Sequence, residues 1–360
     1  MRLLLVFLFG VVLAPAAHAQ GLGRGTAEAP VTEWPTADPD TMGLSAEALR
    51  AHLDRCKESG AFGCLVAYRG RVVQEWYRIE HRSPFVGTAS AVKSWTGLLT
   101  GMLIADGAID SVGVPVAKWI PEWTAGARAG VTIRHLLTMT SGLSDRTGRR
   151  MTIPSPDSAT DASPPDGAGV VAAKNTTGYV LDLPLDGPPG QRFSYSNEGV
   201  QLLSPILERA AGMPLARYAR ERLFAPLGMD RTRLRVDEYY NTVTFGSAET
   251  TLSDFARIGQ LMLNEGRWNG TQIVPASWIE RSTTPTEATP NYGFLWWIDQ
   301  KRGNYAATGS LDNVCIVVPE LNLVVARMQR DPQPDTETKY QRVETLKLLR
   351  KIVEGAPDRE

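Results

Sequence analysis

Ser90 and Lys93 form the one S-x-x-K pattern in this chain, Ser90-Ala91-Val92-Lys93, and a mostly apolar run continues from there to Ile104. Residues three apart on a helix share a face, so the lysine amine would lie beside the serine hydroxyl. A serine hydroxyl attacks a carbonyl efficiently only when a base takes its proton, and a lysine serves as that base when burial or a neighbouring cation lowers its pKa. The spacing therefore predicts a nucleophile and its base.

A tyrosine and an asparagine stand two residues apart in Tyr195-Ser196-Asn197. Residues two apart on an extended segment point to the same side, so both polar tips would face one cleft. A phenol held between cations can relay a proton. A second Y-x-N occurs at 239–241, but Asp237 and Glu238 precede it, and carboxylates raise the pKa of a nearby tyrosine. We therefore expect Tyr195 and Asn197 to belong to the site.

The segment Thr308-Gly309-Ser310 precedes the final pair of apolar runs. A glycine there would let a substrate approach the strand backbone. The N–H that follows it could complete an oxyanion hole with the N–H of Ser90. We expect Thr308, Gly309 and Ser310 to bind or orient the substrate.

Histidine and cysteine are scarce, with four and three residues respectively. No G-x-S-x-G elbow occurs, which disfavours a Ser-His-Asp hydrolase, and the sequence predicts no metal site and no cofactor. Cys56, at a helix end, lies close in sequence to Cys64 in the next strand, and the sequence leaves undecided whether the two form a disulfide. Cys315, within an apolar run, is expected to be a buried small hydrophobe, and His135 a structural helix residue.

The elements that must position these residues are strands at both ends of the chain and helices between them. This order predicts an α/β (α+β) fold in which one antiparallel sheet, built from the N- and C-terminal segments and flanked by helices, carries an inserted all-helical lobe. We place the sheet lobe at about 43–85 and 245–360, and the helical lobe at about 86–244. Residues 144–176 read as a long surface loop and a candidate lid.

The N-terminus has the pattern of an export signal. Arg2, an apolar run over 3–13 and Ala17-His18-Ala19 predict a signal peptide over 1–19, followed by an irregular leader over 20–42. We expect an exported, periplasmic or extracellular protein without a stable membrane anchor. The formal net charge of −1 does not suggest a nucleic-acid partner, and the sequence does not set the oligomeric state.

Taken together and in this order, the motifs resemble those of the serine β-lactamase and penicillin-recognising superfamily. The resemblance is to the branch that contains class C β-lactamases, family VIII carboxylesterases and 6-aminohexanoate-dimer hydrolase, and it runs from about residue 43 to 330. It includes five segments: Ala89–Ser94, Thr132–Gly142, Gly190–Asn197, Leu223–Met229 and Tyr292–Trp297. The resemblance implies a β-lactamase/transpeptidase-like catalytic domain over 43–360 that acts on a small ester, amide or lactam.

Residue by residue, the resemblance makes Ser90 the acylated nucleophile, Lys93 its base, Tyr195 the proton shuttle and Asn197 an orienting residue. The family's third motif, Lys-Thr-Gly or His-x-Gly, reads Ala307-Thr308-Gly309 here. Alanine supplies no cation for a substrate carboxylate, which favours ester or amide hydrolysis. A β-lactamase, a D,D-peptidase and a catalytically silent ligand-binding homologue remain the alternatives.

Overall fold

The central sheet forms from apolar runs at both ends of the chain. The computed structural model describes residues 34–78, 84–143, 169–330 and 342–353. Its six-stranded antiparallel sheet has the order β2-β1-β10-β9-β8-β7. The strands are β1 Gly63–Tyr68, β2 Arg71–Tyr77, β7 Trp297–Asp299, β8 Asn304–Thr308, β9 Val314–Val318 and β10 Leu323–Met328. Because β1 pairs with β10, the predicted sheet built from both termini is confirmed.

Two pairs of short strands lie outside this sheet. They are β3 Val86–Gly87 with β4 Glu249–Thr250, and β5 Arg267–Trp268 with β6 Thr271–Gln272. The pairing of β3 with β4 matters most for function, because β3 leads directly into the segment that carries Ser90.

The helices cover both faces of the sheet, and they also form the lobe that is inserted in the sequence between the N-terminal and the C-terminal strands. They are α1 Ala46–Glu58, α2 Val92–Ala105, α3 Ile133–Leu137, α4 Thr176–Leu181, α5 Asn197–Gln201, α6 Leu203–Ala211, α7 Leu215–Ala219, α8 Leu252–Leu263, α9 Ala276–Ser282 and α10 Arg342–Ile352. Ser45 caps α1, since its side chain accepts a hydrogen bond from the N–H of Ala48. Within the described ranges, no helix is long and apolar enough to cross a membrane.

Several expected boundaries shift. The apolar pattern over 200–211 predicts one helix, whereas the structure has two helices there, α5 and α6; α7 continues as a π-helical turn over Arg220–Phe224. Ser90 lies in a short 3₁₀ turn, Ala89–Ala91, that precedes α2. Of the 144–176 loop, residues 144–168 lie outside the described part of the chain, as do the predicted signal peptide and residues 20–33 of the leader.

Alternation along the strands divides the core into two layers. One layer, between the sheet and α1 with α10, contains the side chains of Val66, Ile316 and Val325. The other, between the sheet and α2 with α8, contains Ala307 and Val317 and continues into the helical lobe. The second layer holds the buried helix α2 at the junction of sheet and helical lobe.

The disulfide that the sequence left open is present between Cys56 and Cys64. It joins the end of α1 to the start of β1 in the layer behind the sheet. Cys315 is a free, fully buried thiol, and burial raises its pKa to about 12. That environment suits a packing residue rather than a reactive one.

Candidate active site

The approach to Ser90 is fixed by backbone pairing between two distant segments. Thr88 donates its N–H to the carbonyl of Ala248 at 2.9 Å, and its hydroxyl accepts the N–H of Ala248 at 3.0 Å. The carbonyl of Ala89 accepts the N–H of Ser247 at 2.9 Å. Ala89 has a φ of 48°, a left-handed conformation that is uncommon for a residue with a Cβ and that recurs beside active sites.

Ser90 and Lys93 meet as their spacing predicts. The Nζ of Lys93 donates a hydrogen bond to the Oγ of Ser90 at 2.9 Å. The lysine side chain is only 1% exposed, and its Nζ also donates to the carbonyl of Phe245. Because α2 is apolar and buried along nearly all its length, the amine is surrounded by protein rather than water. The hydroxyl therefore has a fixed amine within proton-transfer distance.

The ring of Tyr195 also lies next to the Lys93 amine. The Nζ of Lys93 is 5.0 Å from the centroid of the Tyr195 ring. The backbone around the tyrosine is held by Met139, whose carbonyl accepts the N–H of Ser194 at 2.8 Å and whose Sδ accepts the N–H of Ser196 at 3.4 Å. The structure therefore brings together the tyrosine, the lysine and the serine that the sequence singled out.

Asn197 follows two residues later as the first residue of α5. Ser196 keeps an extended backbone and caps this helix, with its Oγ accepting the N–H of Gly199 at 3.0 Å. Asn197 therefore starts a helix instead of continuing the extended segment. Its side chain is half-buried, and it follows Tyr195 by two residues in the chain.

Four aromatic side chains pack on one another in a cluster that we call the aromatic wall: Phe193 and Trp297, which are half-buried, and Tyr195 and Tyr292, which are buried. Trp297 stacks on Tyr195 at 6.0 Å between ring centroids, and Tyr292 contacts Trp297 edge-to-face at 4.9 Å and Phe193 at 5.3 Å. Burial raises the pKa of Tyr292 well above its ordinary value, and the neighbouring Tyr195 raises it further. The wall gives the side of the site next to Tyr195 an apolar, aromatic character.

Neither Tyr292 nor Trp297 was predicted as a site residue from the sequence, although both belong to a segment that carries the family resemblance. The signal available was the run Tyr292-Gly293-Phe294-Leu295-Trp296-Trp297, in which aromatic residues are dense. Within that run Trp296 is fully buried and packs on Tyr305, whereas Trp297 is half-buried and reaches Tyr195.

Gly309 brings the end of β8 against the start of α2. A Cβ at this position would lie 3.0 Å from the backbone nitrogen of Ser90 and would overlap the carbonyl oxygen of Thr88. Only glycine permits this approach. Ser310 follows at the exposed edge of the site, and Thr308, which is half-buried, ends the strand. Gly309 therefore adjoins Ser90, and Thr308 and Ser310 are its neighbours in the chain.

Ala307, at the position where the third motif would carry a cation, is fully buried in β8 opposite Cys315. It packs in the same core layer as α2 and α8. The strand therefore offers methyl groups and backbone here in place of a charged side chain.

The other polar candidates lie elsewhere. Tyr239 and Tyr240 are 62% and 84% exposed, in a turn held by Asp237. His135 closes a capping box with Thr132 at the start of α3, a structural role, and burial together with Arg134 lowers its pKa.

One group of metal-ligand residue types occurs in the described ranges: His52, Cys56 and Cys64, whose ligand atoms lie within 4.8 Å of one another. Both sulfurs are already joined in the disulfide.

Comparison with known proteins agrees with this geometry. The family model described as Beta-lactamase matches residues 47–350. The chain is 25% identical over 344 residues to 6-aminohexanoate-dimer hydrolase of Paenarthrobacter ureafaciens, covering 88% of this chain and 85% of that protein. It is 28% identical over 227 residues to Esterase EstB of Burkholderia gladioli, covering 53% of each.

Solved structures share the fold. A Bacillus anthracis protein with a provisional 6-aminohexanoate-dimer hydrolase assignment superimposes with a TM-score of 0.70 at 23% identity, covering 89% of this chain and 88% of that one. The octameric penicillin-binding protein homologue from Pyrococcus abyssi superimposes with a TM-score of 0.63 at 22% identity, covering 87% and 79% respectively.

Proposed function

Because this chain belongs to the Beta-lactamase family of serine hydrolases, we propose that it cleaves a carboxylic ester or amide through an acyl-enzyme on Ser90. One observation carries the proposal. The Ser90 hydroxyl is hydrogen-bonded at 2.9 Å to the buried amine of Lys93, which itself lies over the ring of Tyr195. This arrangement supplies a nucleophile, a base and a second proton carrier in contact.

The proposed reaction begins when the neutral amine of Lys93 takes the Ser90 proton and Oγ attacks the substrate carbonyl. The N–H groups of Ser90 and Ser310 stabilise the oxyanion; removing one such donor typically costs about 10²- to 10³-fold in rate. Tyr195 passes the proton to the leaving alcohol or amine, and Asn197 orients the substrate. Water then attacks the acyl-enzyme, with the same groups moving protons in reverse.

Two features favour a substrate without a carboxylate next to the scissile bond. Ala307 provides no cation for such a carboxylate, and the half-buried rings of the aromatic wall, Phe193 and Trp297, provide apolar contact area. The names of two relatives, Esterase EstB and 6-aminohexanoate-dimer hydrolase, support the two bond types that we propose, because a 6-aminohexanoate dimer is joined by an amide and has its carboxylate far from that bond. A β-lactam or a D-Ala-D-Ala peptide, whose carboxylate is on the carbon bonded to the scissile nitrogen, should be a poorer substrate.

The test compares wild type with Ser90→Ala, and with Ser204→Ala as a matched control. Ser204 is a buried serine in α6 whose hydroxyl has no hydrogen-bond partner among the described residues, so its loss should leave activity unchanged. Turnover of p-nitrophenyl butyrate, 6-aminohexanoate dimer and a chromogenic cephalosporin is measured for each protein. Intact-protein mass spectrometry follows exposure to a fluorophosphonate.

We expect wild type and Ser204→Ala to hydrolyse the ester and to gain one adduct, while Ser90→Ala does neither. Equal turnover by Ser90→Ala would reject the acyl-enzyme. Absence of both turnover and adduct in wild type would instead favour the silent ligand-binding homologue. Preferential cephalosporin hydrolysis would favour the β-lactamase alternative.

We further propose that the protein is exported after cleavage of residues 1–19. The apolar run and the Ala17-His18-Ala19 site support this proposal. The Cys56–Cys64 disulfide also supports it, because disulfides persist in oxidising compartments. N-terminal sequencing of the protein from fractionated cells tests it; we expect a mature chain that starts at Gln20, and an uncleaved cytosolic chain would contradict the proposal.

A further inference from the structure

Arg327, in the middle of the molecule, takes no part in the reaction steps described above. It lies in β10, is fully buried, and donates hydrogen bonds to acceptors from three segments. Its guanidinium reaches the carbonyl of Leu311 at 2.9 Å, that of Asp312 at 3.0 Å, that of Ser59 at 2.8 Å, and the Oε1 of Gln329 at 2.7 Å. A buried arginine used in this way fixes the relative position of the segments that it joins.

The turn between β8 and β9 is unusual in its residues. Leu311 and Asp312 have φ values of 61° and 54°, so two consecutive non-glycine residues are left-handed. Such turns normally use glycine, asparagine or aspartate, so Asp312 is an ordinary residue here, whereas Leu311 is a bulky side chain in a conformation that it rarely adopts. The turn therefore needs support from outside itself, and Arg327 supplies it by binding the carbonyls of both residues.

A second set of contacts closes the turn from the same strand. The side chain of Asn313 donates to the carbonyl of Ser310 at 2.9 Å and accepts the N–H of Gln329 at 2.7 Å. Gln329 in turn accepts from Arg327. The end of β10 thus holds the turn through side chains as well as through the sheet.

The turn begins at Ser310, whose backbone N–H is one of the two oxyanion donors in the proposed reaction. Gly309 donates its N–H to the carbonyl of Asn313 at 2.7 Å, and Asn313 donates its N–H to the carbonyl of Ser310 at 3.3 Å. Among the described residues, the N–H of Ser310 donates no hydrogen bond to a backbone carbonyl of the turn or of the sheet. Since Gly309 rests against the backbone nitrogen of Ser90, a shift of the turn moves one oxyanion donor relative to the other.

We propose that Arg327 is a positioning residue for the oxyanion hole: it holds the 310–313 turn so that the N–H of Ser310 stays aligned with that of Ser90. This inference rests on the proposed function, because it assigns a role within that acyl-transfer site. A lysine cannot replace the arginine here, because an ammonium lacks the planar fork that reaches several carbonyls at once.

The test is Arg327→Lys in the full chain, with Arg257→Lys as a matched control. Arg257 is also a buried arginine, paired with Asp254 at 2.9 Å, and it donates to the carbonyl of Gly228 rather than to the turn. Stopped-flow release of p-nitrophenol measures the acylation rate, steady-state kinetics give kcat and KM, and thermal unfolding gives Tm. We expect Arg327→Lys to slow acylation about 10- to 100-fold, with KM changed less than about threefold.

A double-mutant cycle separates positioning from general stability. Leu311→Gly relieves the left-handed residue that carries a bulky side chain, so the turn depends less on Arg327. We expect Arg327→Lys to slow acylation by a smaller factor in the Leu311→Gly background than in wild type. If Arg327→Lys does not fold, Ser59→Ala, which removes a hydroxyl that accepts from the guanidinium at 3.1 Å and 3.3 Å, should slow acylation in the same sense.

An unchanged acylation rate in folded Arg327→Lys, or an equal loss in Arg257→Lys, would overturn the proposal. So would equal effects of Arg327→Lys in both backgrounds. These outcomes differ from failure of the proposed function, in which Ser90→Ala itself would keep its activity.

Discussion

Replacing Gly309 by alanine tests the contact on which the proposed oxyanion hole depends. The added Cβ would lie 3.0 Å from the backbone nitrogen of Ser90 and 3.0 Å from the Cβ of Ala89, and it would overlap the carbonyl of Thr88. These neighbours are backbone atoms at the start of α2 and a short side chain, so they cannot rotate away. The end of β8 must therefore retreat from Ser90.

Ordinary carbon contacts begin at about 3.5 Å, so the strand must retreat by about 0.5–1 Å. A displacement of about 1 Å at a reacting centre can cost about 100-fold in rate, so we expect kcat/KM to fall by about 10- to 100-fold. The loss should lie in acylation, because the N–H of Ser310 moves with the strand while the Lys93 amine stays on α2.

The assay is stopped-flow and steady-state hydrolysis of p-nitrophenyl butyrate by Gly309→Ala, with Tm measured in parallel. Gly130→Ala is the control, because a Cβ at Gly130 meets nothing within 4 Å, and its activity should match wild type. A folded Gly309→Ala protein with wild-type kcat/KM would refute the placement of the third motif against Ser90.

Three further predictions concern the aromatic wall and the layer behind the sheet. A substrate ring that packs on the half-buried Trp297 should gain about 0.5–1.5 kcal/mol, as aromatic pairs do. Trp297→Ala should therefore lower kcat/KM about 2- to 13-fold for an ester with an aromatic acyl group and less for the acetyl ester of the same alcohol; equal losses for the two esters would contradict this. The Cys56→Ser, Cys64→Ser double variant opens a disulfide across a sequence separation of 8, so urea denaturation should show the free energy of unfolding lower by about 2–3 kcal/mol; an unchanged midpoint would contradict this. Burial lowers the pKa of His52 to about 4, so unfolded His52 binds a proton below about pH 6.5 while folded His52 stays neutral. The free energy of unfolding should therefore fall by about 3 kcal/mol between about pH 6.5 and pH 4, and His52→Gln should show a smaller fall over the same range.

The sheet was predictable where strands are mostly apolar. The runs over 314–318 and 323–328 have the bounds of β9 and β10, because apolar residues fill both runs except for Arg327 and the turn at 319–322 separates them. β7 is only three residues long and half-exposed, so it carries no alternation that sequence alone could reveal. The break between α5 and α6 does have a signal in the sequence: Pro205, in the first turn of α6, has no N–H to donate to the carbonyl of Gln201 four residues earlier, where α5 ends.

In the candidate site, contacts between residues close in sequence were predictable, and contacts between distant segments were not. Ser90 and Lys93 are one helical turn apart, so local geometry was enough to predict their contact. The stacking of Trp297 on Tyr195, by contrast, depends on the sheet and the helical lobe meeting, and no local spacing encodes it. The left-handed pair in the 310–313 turn could not be foreseen, because Leu311 is not a typical turn residue and the support of the turn comes from Arg327 on another strand.

The pairing of β1 with β10 also has a consequence for how the chain reaches its native state. Gly63 is the register partner of Met328, so the sheet closes only after most of the chain has been synthesised. Contacts so distant in sequence slow folding, and until β10 arrives, the fully buried strand β1 has an unpaired apolar edge, a known aggregation hazard. A chain truncated after Val318 should therefore remain protease-sensitive even though it contains Ser90, Lys93 and Tyr195, which places the onset of catalytic competence near the end of synthesis.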